Sequence, residues 1–495
     1  MEYSVYQILL VFCIFLKHSY TLECSNKTVN FDATTTSFKI QSDPTDLSSK
    51  YCKYTFTLPQ YFVPSIGFLN IQLTGSNKIF ARQYTDYGGS KVVEFNGSNT
   101  TMTSKLSTFA PVNFTIEISL PAKTATDTFS ILIQVSDKTP VITGDTFIVK
   151  KDLGTLIESS AIQGNFSILQ VFDTQSPQAT LYTIRVAIFT DPNALMDLIF
   201  VYDDGVCKGS LLDVFNAQNS TINKICYGTQ FAIVNTNQGI AGIYTVLISE
   251  AHEWDEKSVS ITNAPLGNTT QILTATNGLV VLHEIRNPIA GTIIPNFYQQ
   301  ISFRGDGELK VFAGCVTGTQ ESRRIATITP STAHNYENLL IYGKCKTFVL
   351  TKGVLQWQST QMFPTDTFRH EIGRKGVIMS SDYPYPNSDT TTRNYLIQSP
   401  SSSSNENIIV NYETASMASD VFFFIDQYIK AYTDANKTIT PTDTTYTSIS
   451  TYQQYILYNA PNNSDGFLVR YTVTSSSRIS SFIGAFFVVF SVCFY

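Results

Sequence analysis

Phe129-Ser130-Ile131-Leu132-Ile133-Gln134-Val135 is the stretch that decides the fold. Apolar β-branched and aromatic residues recur at every second position, the period of a strand with one face buried. Tyr54-Thr55-Phe56-Thr57-Leu58 and Phe114-Thr115-Ile116-Glu117-Ile118 repeat the pattern. Turn-forming residues punctuate such runs at short intervals, as in Tyr87-Gly88-Gly89, Asn277-Gly278 and Gly305-Asp306-Gly307. No stretch sustains a helical period beyond about two turns. The chain is therefore expected to be all-β, built of short strands at sandwich-like spacing. Composition agrees. Of 495 residues only 15% are charged, while 43% are hydrophobic and 13% aromatic, with 34 Phe and 27 Tyr. That excludes a disordered or coiled-coil chain. A net charge of −6 leaves no basic field for nucleic acid.

The two ends read differently from the middle. Ile8 to Leu16 is a nine-residue apolar run, too short to span a bilayer but suited to the core of a secretory signal. Residues 1–21 are expected to be that signal, cut between Ser19 and Leu22, although acidic Glu2 is atypical of one. Phe482 to Tyr495 ends the chain on fourteen largely apolar residues with no basic tail behind them. With small residues just upstream, residues 477–495 read as the signal for a glycolipid (GPI) anchor, attached at Ser475, Ser476 or Ser477. A short tail anchor and a final core strand are the alternatives.

Of eight cysteines, Cys13 and Cys493 fall in those end segments. The other six form couples 28, 19 and 30 residues apart: Cys24 with Cys52, Cys207 with Cys226, Cys315 with Cys345. An even count in an exported chain suggests disulfides, and neighbour pairing closes short local loops. Zinc is disfavoured, because there is no C-x-x-C and no close Cys/His couple. The second and third couples share a frame: an alternating strand, Gly, Cys, a variable loop, Cys, then another strand. Four segments of about 110 residues follow, at 22–138, 139–252, 253–363 and 364–476. Nine N-x-[ST] sequons, at Asn26, Asn96, Asn99, Asn113, Asn165, Asn219, Asn268, Asn436 and Asn462, become glycosylation sites if the chain is exported.

Gly376-Val377-Ile378-Met379-Ser380-Ser381-Asp382-Tyr383-Pro384 resembles the opening of a CUB domain, G-x-I-x-S-P-x-Y-P. Tyr395-Leu396-Ile397, Asp420 to Asp426 and Gly466-Phe467-Leu468-Val469-Arg470-Tyr471 resemble later strands of that family. Both usual CUB disulfides are missing from this segment, and Arg393-Asn394 stands where a Cys is expected. Asp197 to Gly205, followed by Cys207 and Cys226, resembles the family's D-x-[VL]-x-[IV]-x-D-G strand and the pair after it. The first segment, with Cys24, Tyr51-Cys52-Lys53-Tyr54-Thr55-Phe56 and Leu58-Pro59, resembles the CUB-like domains of nematode surface proteins. The resemblance implies tandem jelly-roll β-sandwiches in an extracellular recognition protein, and for nematode relatives a part in the intestinal response to pathogens.

Catalytic patterns are missing. His18 leaves with the signal, and none of His252, His283, His334 or His370 sits in H-E-x-x-H; G-x-S-x-G, P-loop and G-x-G-x-x-G motifs do not occur. The expectation is a non-enzymatic protein without a cofactor, binding an extracellular protein or glycan and held to the outer membrane face by its lipid. A secreted coat component and a sandwich-scaffold enzyme are the rival readings. The resemblance implies one further chemistry: many CUB domains hold calcium through a Glu and two Asp, and Glu413, Asp420 and Asp426 fall near those positions. Tyr383, Tyr385 and Phe422-Phe423-Phe424 could form an aromatic platform, although such clusters more often belong to a core.

Overall fold

Alternation along Thr128–Asp137 sends Phe129, Ile131, Ile133 and Val135 inward, where they meet the inner faces of Lys50–Thr57, Phe62–Gln72 and Phe114–Leu120. Phe56 and Phe114 stack at 4.7 Å in the middle, with Phe31, Phe38 and Phe109 around them. The computed structural model describes residues 20–21, 26–86, 90–97, 101–138, 146–150, 152–162, 168–172, 180–190, 198–203, 205–217, 225–228, 230–236, 242–250, 254, 258–265, 267–276, 278–288, 295–360, 371–388, 391–398, 408–429, 432–450 and 453–475. Residues 1–19 of the expected signal, Cys24, Asn99, Asn165, Asn219, Ser476, Ser477 and the apolar tail lie outside them. Among the described residues, no helix is long and apolar enough to cross a membrane.

The chain is all-β, in tandem sandwiches. From Lys27–Asn30 to Thr128–Asp137 nine strands form the first. In one sheet they lie in the order first, third, eighth, fifth, sixth; in the other, second, ninth, fourth, seventh, with Tyr20–Thr21 added in parallel at its edge. The nine strands from Ser258–Asn263 to Gly353–Thr360 repeat both orders. Strands from Thr146–Ile148 onward repeat the five-stranded order, including its parallel first pair. The last set, Lys375–Met379 to Phe467–Ser475, has the same arrangement, with no first parallel strand among the described residues.

By its contacts the chain divides into two compact units. One comprises residues 1–148, 157–186 and 190–242, the other 149–156, 187–189 and 243–495. In the first unit, Tyr61 packs on Tyr202 at 4.7 Å within an apolar cluster of Val63, Ala110, Phe200, Cys207 and Val234. In the second unit the third and fourth strand sets share apolar clusters: Val377, Met379, Tyr383 and Leu468 pack with the third core, and Phe297 and Leu340 with the fourth.

The cysteines split. Cys315 and Cys345 form the expected disulfide, with Cα atoms 5.3 Å apart. Cys52 is disulfide-bonded as well. The expected Cys207–Cys226 bond is not made, because Cys207 is a free, buried thiol. Its strand, Val206–Ser210, pairs with Ile199–Asp203, whereas Cys226 stands on Ile225–Gly228, which pairs with Thr180–Ile188 in another sheet. A shared sequence frame did not put the two sulfurs together.

Candidate functional site

The stretch that resembles a CUB opening is a joint. Gly376 lies beneath the ring of Tyr471, where any Cβ would collide with it. Gly466 adopts φ +72° against the Ser380 hydroxyl, a conformation and a closeness that suit glycine alone. These two residues let the opening strand Lys375–Met379 seat against Phe467–Ser475. Beyond it the chain turns onto the third strand set. Tyr383 Oη donates to the Ser322 carbonyl at 3.2 Å, while Tyr385 Oη donates to the Gly154 carbonyl and accepts from the Cys315 N–H, at 2.9 and 3.1 Å. Asp382 is fully buried between Arg286 (3.1 Å) and Lys344 (3.8 Å), and accepts from the Ser388 backbone N–H and hydroxyl. Burial pushes its carboxyl up; Lys344, Arg286 and Ser388 outweigh that and hold it below the usual carboxylate range. The aromatic pair Tyr383 and Tyr385 is thus structural and offers no platform to solvent.

Phe422-Phe423-Phe424 divides by strand alternation. Phe423 enters the fourth core, while Phe422 and Phe424 stack at 6.0 Å on the outer face. Asp426 follows on that face, opposite the exposed sequon residue Asn436. The three carboxylates considered for calcium do not gather. Glu413 is paired with Arg470 at 2.6 Å, Asp420 accepts from Ser464 at 2.7 Å, and Asp426 lies within Phe422–Ile429. The His/Cys group that does gather among the described residues, His283 with Cys315 and Cys345, has both sulfurs in the disulfide. His283 itself is buried, with Nδ1 3.0 Å from Thr347 Oγ1.

All six described sequon residues, Asn26, Asn96, Asn113, Asn268, Asn436 and Asn462, are exposed. In the first sandwich, Asn26, Asn96 and Asn113 sit on or beside strands of the five-strand layer that contains Lys27–Asn30, Ser90–Asn96 and Phe114–Leu120. Among the described residues, the outer face of the opposite layer carries none; Asn99 lies outside them. Register places Lys39, Leu132, Gly67 and Leu106 in one row across it, with Ser130, Leu69 and Ser104 in the next. Leu106 is 57% exposed.

One site escaped the sequence reading. In the third sandwich Glu284, Asn296, Tyr298 and Lys346 are buried together between the two sheets. Lys346 Nζ donates to Asn296 Oδ1 (2.6 Å) and Glu284 Oε1 (3.2 Å), and Tyr298 Oη donates to the same carboxylate oxygen (2.5 Å). The signal was present: Glu284 and Lys346 interrupt the buried strands Val280–Ile285 and Cys345–Leu350 at registered positions, beside the polar pair His283 and Thr347. Beside the cluster, Tyr298, Phe348 and Trp357 line a cavity of about 10 Å³, room for a single water.

No protein-family model matches the chain, and no curated protein matches it. Among solved structures it is similar to the CUB1-EGF-CUB2 domains of rat MASP-1, at 10% identity and a TM-score of 0.18, over 46% of this chain and 100% of that one. It is also similar to the full extracellular region of zebrafish Gpr126/Adgrg6, at 8% identity and a TM-score of 0.18, over 89% of this chain and 52% of that one. At that level of similarity neither neighbour speaks for what this chain binds.

Proposed function

We propose that this chain is an exported, N-glycosylated, non-enzymatic surface protein that binds an extracellular protein. The bare outer layer of its first sandwich is the docking face. The observation that carries this reading is the one-sided placement there of the described sequons, Asn26, Asn96 and Asn113. N-glycans at Asn26, Asn96 and Asn113 would shield one layer, leaving the row through Gly67 and Leu106 open to a partner. A disulfide in the core and exposure of every described sequon support an oxidising, glycosylating route. Lipid attachment at Ser475, Ser476 or Ser477 would hold the protein at the cell surface; Ser475 closes the last strand, opposite Ile408. In keeping with the CUB-like resemblance, such a receptor would serve defence at an epithelial surface.

Binding is tested on a panel of extracellular proteins, with a glycan array in parallel. Leu106→Asn makes an N-x-T sequon with Ser107 and Thr108, so it plants a glycan on the proposed face. Binding should be lost in Leu106→Asn and kept when Asn96 and Asn113 are each changed to Gln. A partner that still binds the Leu106→Asn glycoform refutes the docking face. Full solubility of the protein before phospholipase treatment of cells refutes the anchor.

A further inference from the structure

We propose that Lys346 and Asn296 join in a covalent amide that staples the two sheets of the third sandwich, formed by the protein itself with Glu284 as proton shuttle. The nucleophile, the electrophile and the proton carrier already stand together. Lys346 Nζ is 2.6 Å from the Asn296 carboxamide oxygen and 3.2 Å from Glu284 Oε1. Lys346 belongs to Cys345–Leu350 in one sheet and Asn296 to Asn296–Arg304 in the other, so the bond would cross the core. Backbone pairing fixes both ends: Lys346 lies opposite Glu284, and Asn296 opposite Ile341. Such fixed proximity is worth an effective concentration of about 10⁵–10⁸ M.

The surroundings suit the chemistry. Lys346 and Asn296 are each 1% exposed and Glu284 is fully buried. Tyr298 Oη donates to Glu284 Oε1 and Gln271 Nε2 to Oε2, which holds the carboxyl group in place. Burial pushes the Lys346 ammonium towards its neutral form, against the opposing pull of Glu284. Passing one proton from Lys346 to Glu284 gives a neutral amine beside a neutral acid and leaves no charge in the core. Nζ then attacks Asn296 Cγ, and the Nζ–Cγ bond forms as the Cγ–Nδ2 bond breaks. Glu284 gives its proton to the departing Nδ2, which leaves as ammonia, and takes up the proton released from Nζ. One amine and one carboxamide become one secondary amide and one ammonia, with no oxidant or outside reagent. The ring of Tyr298 lies 5.6 Å from Nζ, with Phe348 and then Trp357 packed beyond it.

Mass spectrometry of the purified full chain, deglycosylated and denatured, decides the matter. The expected result is a polypeptide lighter by one ammonia than the processed, disulfide-bonded sequence. A tryptic digest should yield a branched peptide joining Lys346 to Asn296, with no cleavage after Lys346. Lys346→Ala and Glu284→Gln should each restore the full mass; Glu284→Gln keeps the size of the side chain and removes the shuttle. Recovery of Lys346 and Asn296 in separate, unmodified linear peptides from the folded wild-type protein overturns the proposal, whatever the variants do. A branched peptide that persists in Glu284→Gln overturns the role given to Glu284.

Discussion

Changing Cys315 and Cys345 together to Ala tests how the second unit is held. The bond joins residues 30 apart, both buried in a small apolar cluster with Ala187, Leu247 and Ile285. Chain entropy for a loop of that length gives about 3.7 kcal/mol at 25 °C, against a total of roughly 5–15 kcal/mol for an ordinary domain. Because the third and fourth strand sets share apolar clusters, the unfolding unit is larger than a single sandwich. For a unit of about 200 residues each kcal/mol moves the melting midpoint by about 2–4 °C, so a fall of roughly 7–15 °C is expected. Calorimetry of the full chain reads this directly, as does the urea midpoint followed by the fluorescence of Trp357, which stacks on Phe348 in the third core. The same pair of changes is made in the Glu284→Gln background. There the proposed Lys346–Asn296 amide cannot form and restrain the same loop. An unmoved midpoint in that background refutes the entropic account of the disulfide.

Asp382 should make the joint acid-sensitive. Its folded pKa lies below the unfolded one, so its stabilisation is present above about pH 4 and is lost as pH falls through the folded value. Asp382→Asn should flatten the urea midpoint of the second unit across that range, and an unchanged acid slope would count against it. Cys207, whose thiol burial pushes up, should resist a thiol reagent in the native protein and react once urea unfolds the first unit; rapid native labelling would contradict its burial. Tyr385→Phe strips a hydrogen bond from both the Gly154 carbonyl and the Cys315 N–H, at a cost of about 1–3 kcal/mol. Hydrogen exchange at the Cys315 amide should rise, and unchanged protection would show that the hydroxyl is dispensable.

Strands with one wet face were legible, because their period of two records which face is buried. Thr128–Asp137 and Phe114–Leu120 are such strands. Cys345–Leu350 was harder. It is buried on both faces, so alternation carries no information, and a Lys in it reads as a surface position until its partners are known. The disulfide Cys315–Cys345 could be inferred from spacing, since both ends fall in one sandwich. Neighbour pairing misled at Cys207, because the sheet that Cys226 joins is a property of pairing at long range. The carboxylates Glu413, Asp420 and Asp426 stand apart for a related reason. Their order along the chain matched a pattern, but Arg470 on the neighbouring strand had already claimed Glu413.

The last strand set shows why local content is a poor guide to local stability. With no cysteine in 364–476, its own sequence offers it only an aromatic core to rest on. That core is real: Phe423, Tyr458 and Phe467 meet edge to face or stacked within 6.4 Å. Among the described residues it shows no parallel edge strand like the one that opens each of the other three. The third set shares apolar side chains with it. Phe297 and Leu340 enter the fourth core, while Val377, Met379 and Leu468 enter the third. Arg470 then reaches across to the carbonyls of Arg324 and Glu321 at 2.7 and 2.6 Å. Exchanged side chains of this kind are lost together, because opening one core exposes the residues lent to it by the other. The disulfide at Cys315–Cys345 therefore steadies the cysteine-free segment too, through packing that its own sequence does not announce.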